Sequence, residues 1–224
     1  MVSFSQVLKE AEEAAFLPNL RPVGLFGDSI KTVIPEGFVD ASDFRQIPDN
    51  QEVFVSAEGS STTSDDNSII IELVERLETN EQATQSTIEE DQKAVIEHYE
   101  EISSLNSAIS RSKQFGVAPL KTPNLPQSVT SYLSTGVQIA QKWGKDSEAT
   151  YLVLTFAVIR IPEHGTDILI SFNSASKVGQ DGLWKFEESD DLEPGVVKRI
   201  GELQAIARQT VKELKVENWG LFAD

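Results

Sequence analysis

The chain contains no cysteine. That excludes disulfides, thiolate metal centres and a thiol nucleophile, and it fits a reducing compartment such as the cytosol or nucleus. Histidine is nearly as scarce, with only His98 and His164, far apart and outside any HExxH pattern, so no metal site is expected. Both histidines read as surface or boundary residues. Basic residues are also few. Lys and Arg total 19 against 36 Asp and Glu, for a formal net charge of −17. A surface this acidic repels phosphate backbones and anionic lipids, so neither nucleic acid nor a membrane is expected as a partner. A basic protein surface, or a cation held by one, is the fitting counterpart. The competing account is that the acids serve solubility alone.

Long apolar runs are missing too. The longest strong run, Tyr151–Ile159, is strand-sized and falls short of the roughly 18 residues a membrane span needs. The opening "MVSFSQVLKEAEEAAF" has no basic leader and carries Glu10, Glu12 and Glu13, so it reads as neither a secretory signal nor a transit peptide. Catalytic signatures are absent as well: no GxxxxGK[ST], no GxGxxG and no GxSxG occurs. Among 36 acids some carboxylate pairs will meet by chance, so a glycosidase-like pair carries little weight. The chain does not read as an enzyme, and no cofactor is expected.

What is present is a succession of short strands and two long helices. Residues 3–16 have an amphipathic helical pattern that Pro18 and Pro22 end, which sets residues 1–23 apart as an extension before a domain over 24–224. Strands are expected at 30–34, 38–40, 51–56, 68–75, 131–143, 150–162 and 166–173. "SIIIELVE" is apolar on both faces at its start, which suggests an inner strand. "AEGSSTTSDDN" and residues 174–191 read as loops, and 110–130, with three prolines, as irregular.

A helix is expected over 87–109, with Ile88, Val95, Tyr99, Ile102, Leu105 and Ile109 as its core stripe. Glu89, Glu90, Asp91, Glu97, Glu100 and Glu101 would form its wet face. A second helix is expected at about 195–215, with Pro194 in its first turn. Short connections imply antiparallel pairing. The expected architecture is therefore an α/β antiparallel sheet of six to seven strands flanked by helices.

The stretch "GFVDASDFRQIPDNQEVFV" places acids between two strand-like pieces. Asp40, Ser42 and Asp43 suit turn and capping chemistry. Asp49 and Glu52, with Asn50 and Gln51 between them, lead straight into Val53–Val55. If pairing starts near Gln51, the two carboxylates stand at the rim of a rigid sheet and can grip a partner's Lys or Arg. A solvated turn is the plainer alternative.

The same stretch, within "LFGDSIKTVIPEGFVDASDFRQIPDNQEVFV", resembles the opening of the Ran guanine nucleotide release factor family. "SIIIELVE", "HYEEISSLN", "QIAQKWGK", "FAVIRIPEHGTDILISFN" and the terminal "LFAD" match further family segments in order. The chain departs from the family pattern at Asp28, where a second Gly is usual, and at Phe44, where Leu is usual. The resemblance implies a monomeric α/β/α sandwich of PsbP-like fold in nucleus and cytoplasm. The implied role is to bind the small GTPase Ran, promote nucleotide release and support nuclear import, without catalytic chemistry of its own. The partner-facing residues it implies are Asp49 and Glu52, with Asp40, Asp43, Arg45, Asn50 and Gln51 nearby. Rival readings are a PsbP-like acidic module for another partner and a carboxylate-based hydrolase.

Overall fold

A computed structural model of the chain describes residues 17–57, 67–78, 87–106, 112–141, 149–177 and 194–222. The helix expected at 3–16, most of the 57–67 loop and residues 178–191 lie outside the described residues. Strands β1 (Leu20–Leu25) and β2 (Ile30–Pro35) form a hairpin. They are followed by β3 (Phe38–Asp40), a 3-10 turn (Ala41–Asp43), β4 (Gln51–Ser56), β5 (Asn67–Glu75) and helix α1 (Ile88–Leu105). Next come β6 (Ser112–Pro119), β7 (Thr130–Gln141), β8 (Ala149–Ile161), a 3-10 turn (Pro162–His164) and β9 (Thr166–Lys177). The chain continues through α2 (Pro194–Glu213), β10 (Lys215–Val216) and a last 3-10 turn (Trp219–Phe222).

The main sheet has seven strands in the order β3-β4-β5-β9-β8-β7-β6, all paired antiparallel. β5 is an inner strand between β4 and β9, as its two-faced apolar start requires. A second, three-stranded sheet, β1-β2-β10, was not anticipated. Pro22 lies inside β1 rather than breaking the chain. β1 is an edge strand of that sheet, where a missing N–H is tolerated.

Alternation along β7 and β8 sends side chains to both faces of the sheet. On one face Leu133, Val137, Val153, Ala157 and Ile159 join Ile200, Leu203, Ala207 and Val211 of α2, together with Leu25, Ile30 and Ile34 of the small sheet. On the other face Tyr132, Leu154, Phe156 and Val158 pack with Val95 and Tyr99 of α1. The helices thus cover opposite faces, giving the α/β/α layers.

Three local expectations are corrected. Residues 112–119 form a strand, not an irregular segment. Its register shifts between Gln114 and Val117, and Gly116 takes φ +70°, so a bulge at the sheet edge breaks the alternation that reveals a strand. β9 runs on to Lys177, past the expected start of the loop at 174.

The buried face of α1 is also rotated from the apolar stripe. Ile88 and Leu105 are 69% and 77% exposed, while Asp91, Ala94, Val95, His98, Tyr99 and Ser103 are buried. Asp91, assigned to the wet face, and His98, assigned to the surface, sit inside. The reason is Arg160 of β8, the largest fully buried side chain, at 1% exposure. Its Nη1 donates to Asp91 Oδ1 at 2.8 Å and its Nε to Asp167 Oδ1 at 3.2 Å. His98 Nε2 lies 3.2 Å from Asp167 Oδ2, and Asp91 Oδ2 accepts from Thr130 Oγ1 at 2.8 Å and Tyr132 Oη at 3.2 Å. A buried cation demands paired carboxylates, and that demand decides which face of α1 turns inward. Thr87 starts the helix with a capping box shared with Glu90, which leaves Ile88 free to face solvent.

Candidate functional site

The acidic stretch is the connection between two hydrogen-bonded strands. β3 and β4 pair through Phe38↔Ser56, Val39↔Val55 and Asp40↔Phe54, so the ends of segment 41–50 meet at the sheet edge. The segment is tied down at both ends. Asp40 accepts the Ser42 N–H at 2.8 Å, and the N–H groups of Phe44 and Arg45 both donate to Ala41 O, at 3.1 and 3.0 Å. Ala41 itself is buried. At the far end, the Asn50 carbonyl accepts the Leu73 N–H at 2.9 Å, and Asn50 Nδ2 donates to Leu73 O at 3.1 Å. Gln51 Nε2 donates to Glu72 Oε1 at 2.8 Å.

Pairing of β4 with β5 starts at Gln51↔Glu72, which meets the condition stated for a rim carboxylate. Asp49 lies just upstream of this point, with Asn50 between, and is exposed. Among the described residues no hydrogen bond or ion pair holds the Asp49 side chain. Asp43, Phe44 and Arg45 are likewise exposed.

Glu52 is different. It is half-buried, and its Oε1 accepts the Phe26 N–H at 2.6 Å. Phe26 opens a turn in which Phe26, Gly27 and Asp28 take φ +50°, +63° and +66°. A left-handed phenylalanine is strained, and the carboxylate secures its amide. Asp28 occupies a left-handed position too, one that aspartate adopts more readily than most non-glycine residues. Burial raises the pKa of Glu52; the Phe26 N–H opposes the shift and the Asp40 carboxylate adds to it. Among the described residues no arginine reaches Glu52, and none bonds its second oxygen, Oε2.

The seven residues therefore divide by what holds them. Asp40, Asn50, Gln51 and Glu52 are engaged in holding the segment and the adjoining turn. Asp43, Arg45 and Asp49 point to solvent. Phe44, exposed between Asp43 and Arg45, was noted in the sequence only as a departure from a family pattern. Glu52's bond across the β1–β2 turn could not be read from the sequence, because nothing local signals that positions 26 and 52 meet.

The family model described as "Mog1: Ran-interacting Mog1 protein" matches residues 23–175. The chain is 29% identical over 210 residues to the nuclear import protein MOG1 of Saccharomyces cerevisiae, covering 92% of this chain and 86% of that protein. It is 32% identical over 153 residues to a Ran guanine nucleotide release factor of Danio rerio, covering 66% of this chain and 75% of that protein. The crystal structure of the Saccharomyces cerevisiae Ran-binding protein Mog1p superposes with a TM-score of 0.63 at 26% identity, covering 92% of this chain and all (100%) of that one.

Proposed function

The chain belongs to the family of Ran-interacting Mog1 proteins, and from that premise we propose that it binds the small GTPase Ran and promotes guanine nucleotide release, in support of nuclear protein import. Relatives named as Ran guanine nucleotide release factors and nuclear import proteins support this reading. The observation that carries it to a site is Asp49, a carboxylate free of partners among the described residues, at the end of a segment clamped to a seven-stranded sheet.

A GTPase holds its nucleotide through a P-loop lysine, backbone N–H groups and Mg²⁺. A release factor binds the emptied state more tightly than the filled one, and by linkage it weakens nucleotide binding by the same factor. Asp49, with Asp43 in the same connection, engages basic groups on Ran that otherwise help hold nucleotide. Glu52 offers Oε2 to the same surface while Oε1 secures Phe26. The backbone that carries them is clamped before contact, so only side-chain torsions are left to order on binding. The protein acts as a regulator with no bond-making chemistry of its own, in cytoplasm and nucleus.

The hydrolase alternative is disfavoured for the most prominent buried carboxylates. Asp91 and Asp167 are 2% and 0% exposed and are both ion-paired with Arg160, beneath α1.

The test is release of a fluorescent guanine nucleotide from Ran. The protein should accelerate release, and added salt should weaken the effect. Asp49→Lys should leave the thermal midpoint unchanged and reduce affinity about tenfold or more, since a like charge is placed against basic groups. Equal activity of the reversed variant would remove Asp49 from the interface.

A further inference from the structure

We propose that Phe44 is the apolar anchor of the Ran-facing surface, inserting into an apolar pocket that lies among the basic groups of the partner. The inference rests on the Ran reading above and adds to it a second kind of recognition.

Phe44 is 73% exposed. Among the described residues it is the one aromatic side chain counted with the exposed large hydrophobics, the others being Leu17, Ile88, Ile96 and Leu105. Single exposed apolar residues are ordinary on protein surfaces, so exposure alone argues nothing. Three further observations set Phe44 apart.

The first is its neighbourhood. It stands between Asp43 and Arg45, in the same ten-residue connection as Asp49, so it lies within the charged segment and not beside it. The second is its rigidity. It is the C-cap of the 3-10 turn, its own N–H and that of Arg45 both donate to Ala41 O, and Asp40 caps the turn from the other end. A phenylalanine on a fixed backbone has only two side-chain torsions left to order on binding, so its burial is gained at low entropic cost. The third is the absence of an internal claim on the ring. Phe38, Phe54 and Phe172 are used in the core, whereas Phe44 belongs to neither hydrophobic cluster.

A surface of acids alone attracts any basic protein. Charge sets encounter rate and orientation, whereas a central desolvated apolar contact supplies much of the residence time. Phe44 therefore provides selectivity for a basic surface that also has a pocket for a ring. Asp43, Arg45 and Asp49 form the polar rim around it.

The experiment measures Ran affinity by calorimetry at ionic strengths of about 0.1 M and about 1 M, where the Debye length falls from about 10 Å to about 3 Å. Wild type, Phe44→Ala, Phe44→Leu and Asp49→Asn are compared, with thermal midpoints as a folding check. Phe44→Ala should weaken binding about ten- to hundredfold, the share of one fully buried phenylalanine, and by a similar factor at both salt levels. Phe44→Leu should recover most of the loss. The Asp49→Asn defect should shrink at high salt.

A Phe44→Ala variant that binds within twofold of wild type, while Asp49→Asn is impaired, would overturn the anchor and leave the Ran reading standing. A Phe44→Ala defect that disappears at high salt would also overturn it. Failure of the wild-type protein to bind Ran at both salt levels would overturn the Ran reading, and the anchor with it.

Discussion

Arg160 Nη1 donates to Asp91 Oδ1 at 2.8 Å, joining β8 to helix α1 in the interior of the protein. The same guanidinium reaches Asp167 at 3.2 Å and the carbonyl oxygen of Leu77. One cation thus organises a helix, two strands and the chain end that leaves β5. Arg160→Met removes it and leaves two buried carboxylates unneutralised, and breaking such a pair costs about 3–5 kcal/mol. The expected result is a large loss of stability in guanidinium unfolding at neutral pH. A loss below about 1 kcal/mol would mean the network contributes little.

Tyr132 donates to the same Asp91, and its pKa is pushed from 10.0 to about 12, first by burial and then by the Asp91 charge. The unfolded chain gives up the phenol proton first. The contribution of Tyr132 is therefore complete below pH 10 and is lost as pH rises toward 12. Tyr132→Phe should lose about 1–2 kcal/mol at neutral pH. Above pH 10 the gap to wild type should close, because only wild type must ionise a buried phenol. A gap that stays constant from neutral to strongly alkaline pH would contradict the assignment.

Glu52 shows the opposite balance. Its pKa is raised mainly by burial, so the fold favours its protonated form. Wild-type stability should fall as pH rises through the carboxylate range, because the folded state holds this proton longer than the unfolded one. Glu52→Gln keeps an acceptor for the Phe26 N–H without the charge. It should be at least as stable as wild type at neutral pH, with the difference vanishing below about pH 4. Glu52→Ala leaves the Phe26 N–H without that acceptor and should cost about 1 kcal/mol. Unfolding curves of all three proteins across pH check the order; a Gln variant as impaired as the Ala variant at neutral pH would show that the charge itself stabilises the turn.

Much of the scaffold is legible in the chain order of residues. The two-faced apolar run at Ile69–Ile71 marks an inner strand, the Pro162–Gly165 turn joins two long strands, and Pro194 opens the last helix. These are local signals: side-chain periodicity and restricted backbone angles act over a few residues. The edge strand β6 escapes them because Gly116 interrupts its alternation at a bulge. The candidate site is legible in the same limited way. The position of Gln51 at the start of β4 follows from its flank of apolar residues, and with it the exposed placement of Asp49.

Other features depend on contacts between distant parts of the chain. By apolar spacing alone, Ile88 and Leu105 belong to the core and Asp91 to solvent; the reverse holds because Arg160, 69 residues away, must be neutralised where it is buried. Glu52 and Asp49 look equivalent in sequence, yet one is bound to Phe26 across 26 residues and the other is free among the described residues. The sequence by itself determined the two long helices, most strands of the main sheet, the excess of negative charge and the absence of thiol chemistry. Only the tertiary structure decided which carboxylates are engaged internally and which are presented, because desolvation and hydrogen bonding depend on what lies across the fold.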